Sequence, residues 1–74
     1  MDWDNLRYFL ELALAGKLTA AARRLGVDHT TVARRVQALE KQFGQPLFIR
    51  SGAGYGLAEA GRRLLAQAEA MESA

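Results

Sequence analysis

The chain has no cysteine, one histidine, one proline, and no apolar run approaching the ~20 residues that a membrane-spanning helix needs. Each absence removes a class of protein. Disulfide staples are excluded outright. A zinc staple is excluded with them, because His29 has no second ligand of suitable type nearby in the sequence. Without cysteine, with a lone histidine and with no clustered acidic pair, no nucleophile–base set is visible, so an enzyme is not expected. No cofactor or metal is expected in this chain. The start Met1-Asp2-Trp3-Asp4 is acidic and lacks the basic head and apolar stretch of an ordinary signal peptide. Internal repeats and low-complexity linkers are missing too.

What is present fits one small domain. The chain has 74 residues, half of them hydrophobic, which is enough for a core but only a small one. With the covalent and metal staples gone, self-association is the remaining support for so short a chain. The formal charge of +2 conceals an uneven distribution. Residues 1–16 carry Arg7 against Asp2, Asp4 and Glu11, a balance of −2. Residues 17–50 carry Lys17, Arg23, Arg24, Arg34, Arg35, Lys41 and Arg50 against Asp28 and Glu40, a balance of +5. Residues 51–74 return to −1, with Arg62 and Arg63 against Glu59, Glu69 and Glu72. A basic middle is what a segment facing a phosphate backbone requires, although a solvated charged surface carries the same signature.

Periodicity divides the chain into four helices and a hairpin. Leu6, Phe9, Leu10 and Ala13 form one apolar face of a helix over about Asn5–Ala15, capped by Asp2 or Asp4 and stopped by Gly16. A second helix, Leu18–Leu25, buries Leu18, Ala21, Ala22 and Leu25, and its alanines permit a close, steep helix crossing. Gly26 makes the turn. Asp28 is a good N-cap for a third helix, about 28–43. Val32, Val36, Leu39 and Phe43 make its apolar stripe, with Thr30, Thr31, Arg34, Arg35 and Ala38 assigned to the opposite side. Gly44 and Pro46 end it. Leu47-Phe48-Ile49-Arg50 reads as a strand, residues 51–56 as a turn, and Gly56-Leu57 as a brief return strand. From Glu59 a last helix begins, along which Leu57, Gly61, Leu64, Ala68 and Met71 follow coiled-coil spacing.

Two helices across a Gly-containing turn, at about 18–37, define a helix-turn-helix, whose second helix can enter the DNA major groove. The hairpin at about 47–57 would then be a wing. The fold class expected is mainly α: a winged helix-turn-helix over 1–58, followed by the start of a linker and dimerisation helix over 59–74. Candidate DNA contacts follow from chemistry. Arg34 and Arg35 can each donate two hydrogen bonds to guanine or bind phosphate, unless they only pair with Glu11 or Glu40. Thr30 and Thr31 can bond phosphate or pack a methyl on thymine, and His29 can reach a base edge or phosphate. Lys17, Arg50 and Ser51 suit phosphate contacts that set register. Gly52, Gly54 and Gly56 lie between a strand and a helix, but Leu57 stands where a dinucleotide fingerprint needs glycine. A winged-helix module that binds protein is the competing function. Double-stranded RNA is disfavoured because its major groove is too narrow for a reading helix.

In LRYFLELALAG, LTAAARRLGV, TTVARRVQALEKQFG, LFIRSGAG and LAEAGRRLL the chain resembles the N-terminal DNA-binding domain of LysR-type transcriptional regulators, over essentially its whole length. The resemblance implies a bacterial regulator that binds an interrupted inverted repeat as a homodimer, and the acidic start and lack of cysteine fit a cytoplasmic, nucleoid-associated location. It makes the last helix the pairing element, with Leu57, Leu64, Ala68 and Met71 at the subunit interface. It also implies that Arg34 contacts DNA, and that a small-molecule inducer acts only through an effector domain outside these residues. Five positions depart from the family pattern. His29 stands for a common glutamine, and Ala33 and Lys17 for common serines. Ala53 stands for a basic wing residue and Ala58 for a capping threonine. These departures leave the class intact but not the exact base preference, and Ala53 implies weaker minor-groove anchoring by the wing.

Overall fold

The computed structural model describes residues 3–73. Its elements run α1 (Trp3–Ala15), α2 (Leu18–Leu25), α3 (His29–Phe43), β1 (Phe48–Ser51), β2 (Gly54–Leu57) and α4 (Glu59–Ser73). The expected winged helix-turn-helix is therefore present, with a closing helix after the wing. Gly26 ends α2 in the left-handed region, at φ 72° and ψ 31°, and its N–H bonds back to the Ala22 carbonyl. A side chain there would be strained, which is why the turn needs glycine.

The start of α1 differs from expectation. The helix begins at Trp3, so Asp4 lies inside its first turn instead of capping it, and Asp2 lies outside the described residues. Its buried face is also broader than one stripe. Asn5, Leu6, Tyr8, Phe9 and Leu12 are buried, while Leu10 and Ala13 are half-buried. The cause is packing: α2, α3 and the wing all rest on α1. Ala21 and Ala22 are buried where α2 crosses, and Val32, Val36 and Leu39 turn α3 inward. Phe9, Leu12, Val32, Leu39 and Leu47 are the largest fully buried side chains.

In the wing, Phe48 pairs with Leu57, Ile49 with Gly56, Arg50 with Tyr55 and Ser51 with Gly54, all antiparallel. The return strand thus starts two residues earlier than expected, because Gly52-Ala53 alone makes the turn. Leu47 belongs to the core rather than the strand. Its carbonyl accepts from Ala58 N at 3.0 Å, and a Cβ on Gly61 would overlap that same oxygen. This close approach seats α4 on the rest of the fold.

It also changes the expected subunit seam. Leu64 is 3% and Ala68 6% exposed within the single chain, and Leu57 is partly buried against the core. Of the residues assigned to a subunit interface, only Met71, 53% exposed, remains largely uncovered. The apolar spacing in α4 is real, but most of it is spent on the chain's own core. No helix among the described residues is long and apolar enough to cross a membrane.

Candidate nucleic-acid interface

The outward surface of α3 is built from its cap. Asp28 has extended backbone geometry, φ −85° and ψ 162°, and its carboxylate accepts from Thr31 N at 2.8 Å. The same oxygen, Oδ1, also accepts from Thr30 Oγ1 at 2.7 Å and Thr31 Oγ1 at 2.9 Å. The Thr30 hydroxyl first, then the backbone and hydroxyl of Thr31, hold the Asp28 carboxyl down to a pKa of about 2. His29 and Thr30 are exposed, and Thr31 is half-exposed.

Arg34 and Arg35 part company. At about 100° per residue, Arg34 falls opposite the Val32–Val36–Leu39 stripe, whereas Arg35 falls only about 70° from its centre. Arg34 is exposed and makes no hydrogen bond or ion pair among the described residues. The Arg35 guanidinium instead lies 5.3 Å from the centroid of the Tyr8 ring, and its Nη1 donates to Asn5 Oδ1 at 3.0 Å. The expectation that both arginines share the outward side is therefore corrected: Arg35 clamps α3 to α1. The acids considered as their partners are engaged elsewhere. Glu11 accepts from Arg24 Nε at 3.1 and 3.2 Å. Glu40 Oε2 accepts from Leu47 N at 2.8 Å and Phe48 N at 3.3 Å, tying α3 to the base of the wing.

The remaining candidates meet where the wing touches the α1–α2 turn. Tyr55 N donates to the Gly16 carbonyl at 2.7 Å. Arg50, paired across from Tyr55, carries its guanidinium 5.4 Å from that ring's centroid. Lys17 precedes α2 and makes no side-chain capping bond, since its ammonium only donates. Its Cγ lies 3.4 Å from where a Gly54 Cβ would stand, which puts Lys17 beside the wing. Ser51 is turned to local use: its hydroxyl makes a long bond to Gly54 O at 3.4 Å and accepts from Ala53 N at 3.3 Å, closing the wing turn. A cleft of about 210 Å³, walled by Ala33, Gln37, Glu40, Arg50 and Tyr55, separates α3 from the wing.

One outward residue escaped the sequence reasoning. Gln37 is exposed and follows Thr30 and Arg34 at i+7 and i+3, so the periodicity that located the valines was a sufficient signal. Asn5 gave none because its partner Arg35 is distant in sequence, and Glu40 gave none because its partners Leu47 and Phe48 lie beyond the turn that ends α3. Among the described residues no group of His, Asp or Glu could hold a metal ion.

A helix with one buried and one bare polar face, carried beside a two-stranded wing, defines a winged helix-turn-helix protein. The model of the bacterial regulatory helix-turn-helix proteins of the lysR family matches residues 3–62. The chain belongs to that family. It is 41% identical over 68 residues to the HTH-type transcriptional regulator ClcR of Pseudomonas putida, covering 92% of this chain and 23% of that protein. It is 42% identical over 71 residues to the regulator TfdS of Cupriavidus pinatubonensis, covering 96% and 24% respectively. The chain thus spans about a quarter of the length of the curated relatives it matches. Among solved structures, the CbnR DNA-binding domain–DNA complex matches with TM-score 0.89 and 38% identity, covering 99% of this chain and 84% of that one. The BenM DNA-binding domain bound to catB site 1 DNA matches with TM-score 0.90 and 26% identity, covering 99% and 81%.

Proposed function

We propose that this chain is the sequence-specific DNA-binding domain of a bacterial LysR-type transcription regulator, with α3 as the reading helix in the major groove. The observation that carries this is Arg34. It is an exposed guanidinium with no hydrogen bond or ion pair among the described residues, opposite the buried stripe of a helix whose fold two DNA-bound domains share. Two subunits set α3 into successive major grooves about 34 Å apart, facing an interrupted inverted repeat. His29, Thr30, Thr31, Arg34 and Gln37 face base edges. Lys17 and Arg50 sit on phosphates, and Ser51 holds the wing between them. No cofactor or metal enters this activity, and the site of action is the cytoplasm, on the nucleoid.

Pairing uses α4 together with α1. The apolar surface left open there comprises Leu14, 72% exposed, with Leu10 and Leu65 along a groove of about 290 Å³ between the two helices, and Met71, 53% exposed, in a neighbouring groove. This differs from a seam through Leu57 and Leu64, which pack on the chain's own core, whereas Ala68 lines the same groove. A small-molecule inducer acts only through the effector portion that lies beyond the quarter of its relatives' length matched here.

Selection of bound sites from randomised duplexes tests the proposal, and enrichment of two half-sites related by a dyad is the expected result. Arg34→Ala is expected to relax preference at one base pair per half-site, by about 1–3 kcal/mol of discrimination. Equal weakening on every duplex would remove its base-reading role. Lys17→Ala is expected to weaken all sequences alike and to reduce the salt slope of log K by about 1. Arg35→Met gives the contrasting outcome. It is expected to cost about 1–2 kcal/mol of stability through the lost Tyr8 and Asn5 contacts, with the salt slope unchanged. A slope reduced by about one would instead put Arg35 on a phosphate.

A further inference from the structure

The first turn of α3 has a hydrogen-bond polarity that the DNA-binding proposal does not by itself require. Asp28 Oδ1 is within 2.7 Å of Thr30 Oγ1 and 2.9 Å of Thr31 Oγ1. An ionised carboxylate only accepts, so in both contacts the threonine donates. Each hydroxyl has a single proton, and both are therefore committed to Asp28. What Thr30 and Thr31 turn outward is lone pairs and methyl groups. Arg34, one turn further along the exposed side, is the reverse: a guanidinium donates and never accepts. A phosphate oxygen also only accepts, so the phosphate contact considered for the two threonine hydroxyls would require breaking their bonds to Asp28. The Asp28 charge opposes phosphate at this helix start as well, where the bare dipole would attract it.

We infer that Asp28 is a specificity-determining residue: by taking both hydroxyl protons it makes the first turn of α3 an acceptor surface. Thr30 and Thr31 then select bases that offer an exocyclic amine in the major groove, adenine N6 or cytosine N4. Arg34 selects the paired acceptors of guanine. The reading face is thus divided into an accepting turn and a donating turn, and the division originates in a residue that need not touch a base. This inference rests on the DNA-binding proposal above.

The test uses the 74-residue chain, its Asp28→Gly variant and its Thr30→Val/Thr31→Val variant on a duplex obtained by selection. Glycine is tolerated at an N-cap, and the valine pair leaves the Thr31 backbone bond to Asp28 available, so both variants should fold. Base pairs whose preference changes in the valine variant are then altered one atom at a time. Purine for adenine, or 2-pyrimidinone for cytosine, removes the amine. 5-Methyl-2-pyrimidinone for thymine, or 2-aminopurine for guanine, removes the keto oxygen. Loss of the amine is expected to weaken the unmodified chain roughly fivefold, the ratio of one net hydrogen bond, with little effect from loss of the keto oxygen. In Asp28→Gly that asymmetry is expected to shrink below about twofold, and in the valine pair to vanish with Asp28 still in place. An asymmetry unchanged in Asp28→Gly, or one in which the keto oxygen matters and the amine does not, overturns the inference. Should Asp28→Gly not fold, the valine pair decides alone: amine dependence persisting without the hydroxyls overturns it. Failure of the unmodified chain to enrich any site would overturn the DNA-binding proposal itself, a result distinct from these.

Discussion

Phe9→Ala is expected to melt about 12–40 °C below the unmodified chain. Phe9 is fully buried, and its ring lies 5.3 Å from that of Phe48 at 47°, where α1 meets the wing. Phe48 in turn stands edge-on to Tyr55 at 6.0 Å, so the three rings join α1 to both strands. Truncating a buried phenylalanine to alanine costs about 3–5 kcal/mol, combining lost transfer energy with the hole left behind. In a domain this small each kcal/mol shifts the midpoint by about 4–8 °C. Total stability of such domains is only about 5–15 kcal/mol, so a large part of the margin goes with one side chain. A circular-dichroism melt reads the effect directly. Phe9→Leu, which keeps most of the volume, is expected to lose far less. A drop of only a few degrees in Phe9→Ala would mean that α1 and the wing close over the cavity.

Gly54→Ala is expected to cost about 2–5 kcal/mol, far more than one methyl group on a surface hairpin usually would. Two separate penalties meet at this residue. Its φ of 124° lies where residues with a Cβ are strained, and that Cβ would overlap the Gly16 carbonyl oxygen. The overlapped oxygen is the one that receives Tyr55 N, so relief comes by lifting the wing off the α1–α2 turn. Lys17 and Arg50 would then separate, and DNA affinity should fall along with stability. Urea unfolding gives the energy, and hydrogen exchange at the Tyr55 amide reports whether the wing has come away. Gly52→Ala is the control: a Cβ there meets nothing within 4 Å and φ is not positive, so a change within about 0.5 kcal/mol is expected. Equal behaviour of the two variants would mean that wing docking contributes little.

Much of the architecture was legible because it rests on local rules. The bounds of α2, the left-handed stops at Gly16, Gly26 and Gly44, and the Asp28 cap are each dictated by residues within a few positions of one another. The short apolar run Leu47-Phe48-Ile49-Arg50, the Gly-rich turn after it and the spacing from Leu57 onward gave the wing and the last helix, and family motifs in a fixed order agree with them. The side of α3 opposite Val32, Val36 and Leu39 was legible for the same reason, and Arg34 lies on it. Arg35 does not share that side, because adjacency in sequence is not adjacency on the helix surface. A rotation of about 100° separates the two side chains, enough to send one to solvent and the other to α1.

The α4 seam shows the limit from the other direction. Its apolar spacing identifies a face that must be covered, but spacing carries no information about what covers it. Gly61 packs on the Leu47 carbonyl and Leu64 enters the chain's own core, while Leu14 and Met71 stay exposed. Glu40 is a similar case, since nothing in its neighbourhood announces that its carboxylate will receive two amides at the root of the wing.

The amino-acid sequence by itself determined the helix-turn-helix, its cap, its turn glycines and the helix that carries Arg34, because helix periodicity and capping act over a few residues. Only the tertiary structure decided that Arg35 is a clamp, that Glu40 and Gly16 anchor the wing, and that most of the α4 stripe belongs to the core. Those contacts join residues of different elements, most of them far apart along the chain, and which of them meet is settled by how the elements pack.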